Sequence, residues 1–167
     1  MRRIVLATVT IAGVVLLSIP GAEACGDKAL RIGRGIRFQR PSHPVSVLIY
    51  IPSNSQRATQ LQSMLKKVGH KSYAAPGADK LSEALRSGQY DLVLVDFAEA
   101  AGVEKQIGTS SSKPVVIPVV PNGTKAEVAA ARKQYGNVVK NPHSADQYLD
   151  AIDTAMRSRI HLLAKKA

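Results

Sequence analysis

The chain has 167 residues, 45% of them hydrophobic, enough for one ordinary domain with its own core. A single cysteine excludes an internal disulfide. A net charge of +11 favours acidic partners over basic ones.

The first segment does not belong to that domain. Arg2 and Arg3 precede an almost unbroken apolar run over residues 4–19; Pro20 and Gly21 end it, and Ala22-Glu23-Ala24 gives the small-x-small pattern of a cleavage site. Residues 1–24 therefore read as a secretory signal peptide, and an exported, periplasmic or extracellular chain is expected. The apolar run falls short of the roughly 20 residues of a membrane span, which makes an uncleaved anchor the rival reading. Cleavage after Ala24 would make Cys25 the first residue of the mature chain. A thiol there invites lipid attachment and a membrane tether, although Ala22 and Glu23 depart from the usual lipoprotein signal. The alternative is a free thiol or an intermolecular disulfide. Losing Arg2, Arg3 and Glu23 with the signal leaves a charge of +10. The partners this favours are anionic envelope lipid, an acidic polymer or an acidic protein, and export places nucleic acid last among them.

Residues 25–44 form a basic arm. Lys28, Arg31, Arg34, Arg37 and Arg40 recur every third residue against one acid, Asp27. Gly33 and Gly35 argue against a helix, and residues 31–38 suit an irregular edge strand or hairpin. The five cations read as an electrostatic docking strip; a solvated spacer is the plainer reading. Pro41 and Pro44 mark the junction with the main domain.

From residue 45 to 160 apolar strands alternate with helices. VSVLIYI (45–51) is the first core strand, and Pro52-Ser53-Asn54 is a loop. Ala58, Leu61, Met64, Leu65 and Val68 give an amphipathic helix, stopped by Gly69 after Lys66 and Lys67. Residues 70–75 make a weak second strand. Asp79 is expected to cap the next helix, which carries Leu81, Ala84 and Leu85 inward and stops at Gly88. YDLVLVDF (90–97) is apolar without alternation, as a central parallel strand covered on both faces should be. Asp96 lies at its C-terminal end, where open α/β sheets place their chemistry. Residues 98–107 read as a helix. PVVIPVV (114–120) is a fourth strand, and Pro118 in it requires a bulge or a nearby edge. Thr124 with Glu127 makes a capping box for a helix ending at Gly136. Residues 137–140 form a short fifth strand. Ser144 with Gln147 suggests a second capping box, and Tyr148, Leu149, Ile152, Met156 and Ile160 form the stripe of the last helix. Residues 161–167 read as a basic tail. Strict alternation implies a three-layer α/β domain, a five-stranded parallel sheet in the flavodoxin-like order 2-1-3-4-5 with helices on both faces.

Taken together, VLIY after the linker, Arg57 in the first helix, YDLVLVDF, Lys-Pro-Val-Val-Ile opening the fourth strand and Val138-Val139-Lys140 in the fifth resemble the receiver domains of bacterial response regulators. The resemblance implies that Asp96 stands at the phosphoacceptor position and Lys140 at that of the lysine contacting the phosphoryl group. The same resemblance puts Ile51 and Pro52 where the family has a magnesium-binding acidic pair. Val119 then replaces its serine or threonine, Asn137 its switching aromatic, and Asn141 intervenes before the proline that normally follows the lysine. Phosphoryl transfer to a carboxylate needs a divalent cation, held mostly by carboxylates and water. Asp96 alone is a weak site for one, so no metal or cofactor is expected, and an Asp96–Lys140 ion pair is the favoured role for both residues.

No other chemistry stands out. His43, His70, His143 and His161 lack ligand spacing and read as surface histidines. Pro52-Ser53-Asn54 is a poor phosphate loop. The sequence thus favours a non-enzymatic pseudo-receiver that binds a protein or an anionic surface. The alternatives are a small-ligand binder using the strand ends near Pro52, Asp96 and Pro121, or a working phosphoacceptor if export is wrong.

Overall fold

The computed structural model describes residues 29–32, 35–38, 44–110 and 112–164. The arm forms the hairpin its glycines permit: β1 (Ala29–Ile32) pairs antiparallel with β2 (Gly35–Phe38), with Ala29 opposite Phe38. The alternating domain comprises β3 (Ser46–Tyr50), α1 (Ser55–Val68), β4 (Lys71–Ala74), α2 (Ala78–Ser87), β5 (Leu92–Asp96), α3 (Phe97–Gly108), β6 (Val115–Val120), α4 (Lys125–Tyr135), β7 (Val139–Lys140) and α5 (Ala145–Ala164). Its five strands are parallel and lie in the order β4-β3-β5-β6-β7, which is 2-1-3-4-5 when the hairpin is set aside.

Alternation along each strand sorts side chains between two layers. Val47, Ile49, Leu92, Leu94, Ile117, Val119 and Val139 face α1 and α5, where Leu61, Leu65, Leu149 and Ile152 meet them. Leu48, Tyr50, Val93 and Val95 face α2 and α3, while Val120 packs with Val128 and Ala131 of α4. All five residues of β5 are buried, as a central strand requires.

Helix ends follow local chemistry. Asn54 caps α1 by accepting from the Arg57 amide at 2.8 Å. Gly69, at φ 101°, ends it with its amide on Leu65 and Lys66 carbonyls, a left-handed conformation that suits glycine. The Thr124–Glu127 capping box opens α4. Several expectations need correction. Gly77, not Asp79, is the N-cap of α2, and Asp79 sits in its first turn. Gln147 closes the start of α5 mainly by accepting from the His143 amide at 2.7 Å, with Ser144 more distant at 3.4 Å. Helix α5 runs to Ala164, past the boundary expected at 160, and Ile160 is exposed instead of completing the apolar stripe. His70 is buried, its Nδ1 accepting from the Val45 amide at 3.3 Å. His143 and His161 are exposed, and His43 lies outside the described residues.

Pro118 neither bulges nor breaks β6; it pairs in register with Val95. The Val115 amide points to β5, bonding the Asp91 carbonyl, whereas Val120 accepts from Asn141 on the β7 side. By alternation the nitrogen of Pro118 faces β7, where pairing begins only at Val119 opposite Val139. The missing donor thus lies beside the short edge strand, where it costs no ladder bond.

Candidate functional site

The C-terminal ends of the strands converge on Asp96, which is 5% exposed. Its Oδ2 accepts from both donors of Ser53 in the loop after β3: the backbone amide at 3.3 Å and the hydroxyl in a short bond. Its Oδ1 is buried with no hydrogen-bond partner. One residue beyond β3, Ile51 is 1% exposed and belongs to the core, and the Pro52 side chain offers no ligand atom. Val119 is in register with Asp96 and fully buried. Ile51 and Val119 are buried in the same core cluster, and Pro52 is exposed. Ser53 was missed, because a hydroxyl in a loop gives no sign of what it will reach.

The expected Asp96–Lys140 ion pair does not form. Lys140 is exposed, and no ion pair joins it to Asp96 among the described residues. Strand alternation explains the failure. Val139 shares the α1/α5 face with Val119, so Lys140 points to the opposite face. The next residue, Asn141, has the parity of Val139 and directly precedes Pro142. Its Oδ1 is buried without a partner. It adopts φ 40°, a left-handed conformation asparagine tolerates better than most residues, and its amide bonds Val120 at 2.8 Å. Lys140 thus faces away from Asp96, and the strand ends there, before Asn141. Asn137, at the expected switch position, instead ties its side-chain amide to the Ala151 carbonyl of α5 at 2.5 Å.

Two tyrosines lie within electrostatic reach of the acid, one on α5 and one at the end of β3. Tyr148 of α5 is 6% exposed, and its hydroxyl lacks a partner. Burial pushes its pKa up; the Arg57 guanidinium opposes that, and the Asp96 carboxylate adds to it. Tyr50, on the other face, is raised by burial and by the carboxylates of Glu99 and Asp96. Arg57 and Tyr148 line a cleft of about 260 Å³ between α1 and the start of α5, together with Gln60, Leu61, Met64 and residues 142–145. A half-buried Arg57 makes no ion pair among the described residues. Residues 1–24, expected to be a signal peptide, lie outside the described residues, as do Cys25, Lys28, Arg34 and Arg40. So do the side chains of Arg31 and Arg37, whose backbones belong to the hairpin.

Solved structures place this arrangement. A receiver domain of a sensor histidine kinase from Pseudomonas aeruginosa, solved with magnesium coordinated in its active-site cleft, matches with a TM-score of 0.53 and 14% identity, over 65% of this chain and 93% of that one. A signal receiver domain of an HD domain-containing protein from Pseudomonas fluorescens matches with a TM-score of 0.56 and 16% identity, over 71% and 99%. A response regulator from Thermotoga maritima gives 0.55 and 16%, over 68% and 98%. The fold is the receiver fold. Neither a family model nor a curated protein matches the sequence.

Receivers with that fold imply a magnesium site, and the residues here do not fit one. Asp96 has one oxygen engaged by Ser53, Ile51 and Pro52 supply no oxygen side chain, and no group of three or more His, Cys, Asp or Glu could hold a metal among the described residues.

Proposed function

We propose that the protein is an exported, non-enzymatic receiver-like module that binds a partner protein or an anionic envelope surface and is not phosphorylated at Asp96. The carrying observation is the engagement of the acid: Ser53 holds Oδ2, and Ile51, Pro52 and Val119 replace the groups that would bind metal and phosphoryl oxygens. A dissociative phosphoryl transfer relies on charge neutralisation at those oxygens, and these side chains supply none. Export is supported by residues 1–24, whose charged start, apolar run and small-residue cleavage pattern agree. The net charge, +11 for the full chain and +10 without residues 1–24, and the arm's five cations support an acidic partner.

The test is to treat the full chain with acetyl phosphate and magnesium and to measure intact mass and thermal midpoint. No phosphoryl adduct and no magnesium-dependent stabilisation are expected. An adduct on Asp96 would instead make it a working receiver. Intact mass of the protein from the envelope tests the address: a chain starting at Cys25 is expected, with any lipid read from the same spectrum. A chain still starting at Met1 would refute cleavage.

A further inference from the structure

We propose that the end of the domain formed by the strand starts and the helix C-termini lies against an anionic lipid bilayer, with its lysines on the headgroups and Ile160 at the boundary. Such docking rests on the envelope-surface reading and gives that contact a place on the domain. Each helix carries the chain back to start the next parallel strand, so helix C-termini and strand starts share one end. Lys66 and Lys67 close α1, Arg86 closes α2, and Arg132 and Lys133 close α4. Asp79, Glu99, Glu127 and Asp146 sit instead in first turns, at the opposite end. The helix dipole accounts for that pattern at each helix taken singly. It asks for nothing at the strand starts, yet Lys71 opens β4 and Lys113 stands just before β6. Lys66, Lys67, Lys71 and Lys113 are exposed and make no ion pair among the described residues. Of the acids nearest this end, Asp91 is held by the Ser46 amide and Arg159, and Glu104 is matched by the adjacent Lys105.

The surroundings select lipid as the occupant. Helix α5 reaches this end, where Arg159 donates to the Asp91 carbonyl at 3.0 Å, and its last residues run on from there. Ile160, just beyond, is 49% exposed. An exposed aliphatic side chain among cations suits the boundary between headgroups and acyl chains. The basic arm joins the domain at the same end, because Pro44 leads into the start of β3; its sequence adds Lys28, Arg31, Arg34, Arg37 and Arg40. A membrane tether at Cys25, or an uncleaved run of residues 4–19, would therefore reach the domain here and not at the acidic end. Lysine is a compact point charge that needs no shaped partner. The cations are spread over the ends of several elements, which suits a flat array of headgroups better than a folded protein.

The experiment sediments the full chain with phosphatidylcholine vesicles, with and without phosphatidylglycerol. Binding should favour the anionic vesicles and weaken as salt is raised. Replacing Lys66, Lys67 and Lys71 together by Gln should weaken anionic binding by about tenfold or more, since one lysine near such a surface is worth about fivefold. Replacing Lys80, Lys125 and Lys140 by Gln removes the same charge from the opposite end and should change binding by less than about twofold. The sequence has no tryptophan, so Ile160→Trp and Asn122→Trp each report from one end. Emission of Ile160→Trp should shift to the blue on anionic vesicles, and that of Asn122→Trp, in the turn after β6, should not. Circular dichroism confirms that each variant folds. No preference for anionic vesicles would overturn this docking together with the envelope-surface reading. Equal weakening by the two triple variants, or equal blue shifts at the two ends, would overturn the docking alone. Tighter binding to poly-glutamate than to anionic vesicles, lost with Lys66, Lys67 and Lys71, would overturn it in favour of an acidic protein.

Discussion

The two ends of the sheet are built differently. At the N-terminal ends of the strands, polar groups find partners. Asp91 accepts from the Ser46 amide at 2.9 Å through Oδ2, its carbonyl takes the Val115 amide at 2.9 Å and Arg159 at 3.0 Å, and its Oδ1 lies 3.6 Å from Arg159. Buried His70 accepts from Val45. At the C-terminal ends, Asp96 Oδ1, Asn141 Oδ1, Asp146 Oδ1 and the Tyr148 hydroxyl are buried without partners. One end is a lock that ties α5 to the start of β5. The other leaves hydrogen-bonding capacity unspent, as functional ends of α/β sheets commonly do.

The middle of β5, common to both ends, sets the scale. Leu94→Ala removes a fully buried side chain and should cost about 3 kcal/mol in urea unfolding. Asp91→Ala strips the Ser46 amide and Arg159 of a partner and should cost about 2 kcal/mol by the same measurement. Tyr148→Phe deletes an unpartnered hydroxyl, so at neutral pH stability should stay level or rise by up to about 1 kcal/mol. The alkaline limb sharpens this. Burial raises the Tyr148 pKa, so the folded chain keeps that proton after the unfolded chain has lost it, and stability, complete below about pH 10, falls as pH rises further. Melting temperatures of Tyr148→Phe should fall less steeply there; Tyr50, raised in the same direction, retains its share. Asp96→Asn should have the smallest effect, within about 0.5 kcal/mol, because asparagine can still accept from Ser53 and no ion pair is lost. A cost equal to that of Asp91→Ala would erase the distinction between the two ends.

The fold was legible where long apolar runs met clear punctuation. VSVLIYI, YDLVLVDF and PVVIPVV mapped onto β3, β5 and β6, and Gly69, Gly88 and Gly136 ended helices as read. The acid at the end of the central strand was equally plain. What stayed hidden depended on register and tertiary reach. β7 has two residues, too few to show alternation, and an offset of one residue moves a side chain to the other face. That offset separates Lys140 from Asn141, although the displaced proline at 142 was the available clue. His70 looks like any histidine before a strand until Val45 is brought 3.3 Å from it. Tyr148 read as one more apolar-stripe residue, and only its unpartnered hydroxyl sets it apart.

Pro118 bears on motion as well as on pairing. β7 joins the sheet only through the rungs at Val119 and Val120, and Pro118 has no donor with which to add another. The segment leaving that strand, with Pro142, His143 and Ser144, forms one wall of the cleft beside α1. That wall therefore hangs from the least firmly hydrogen-bonded strand, whereas α1, the opposite wall, is packed into the main core. Local opening costs less where fewer backbone bonds must break. The cleft can thus widen by releasing a two-rung edge while the rest of the parallel sheet stays closed, and amide exchange at Val139 and Asn141 should run ahead of exchange in β5.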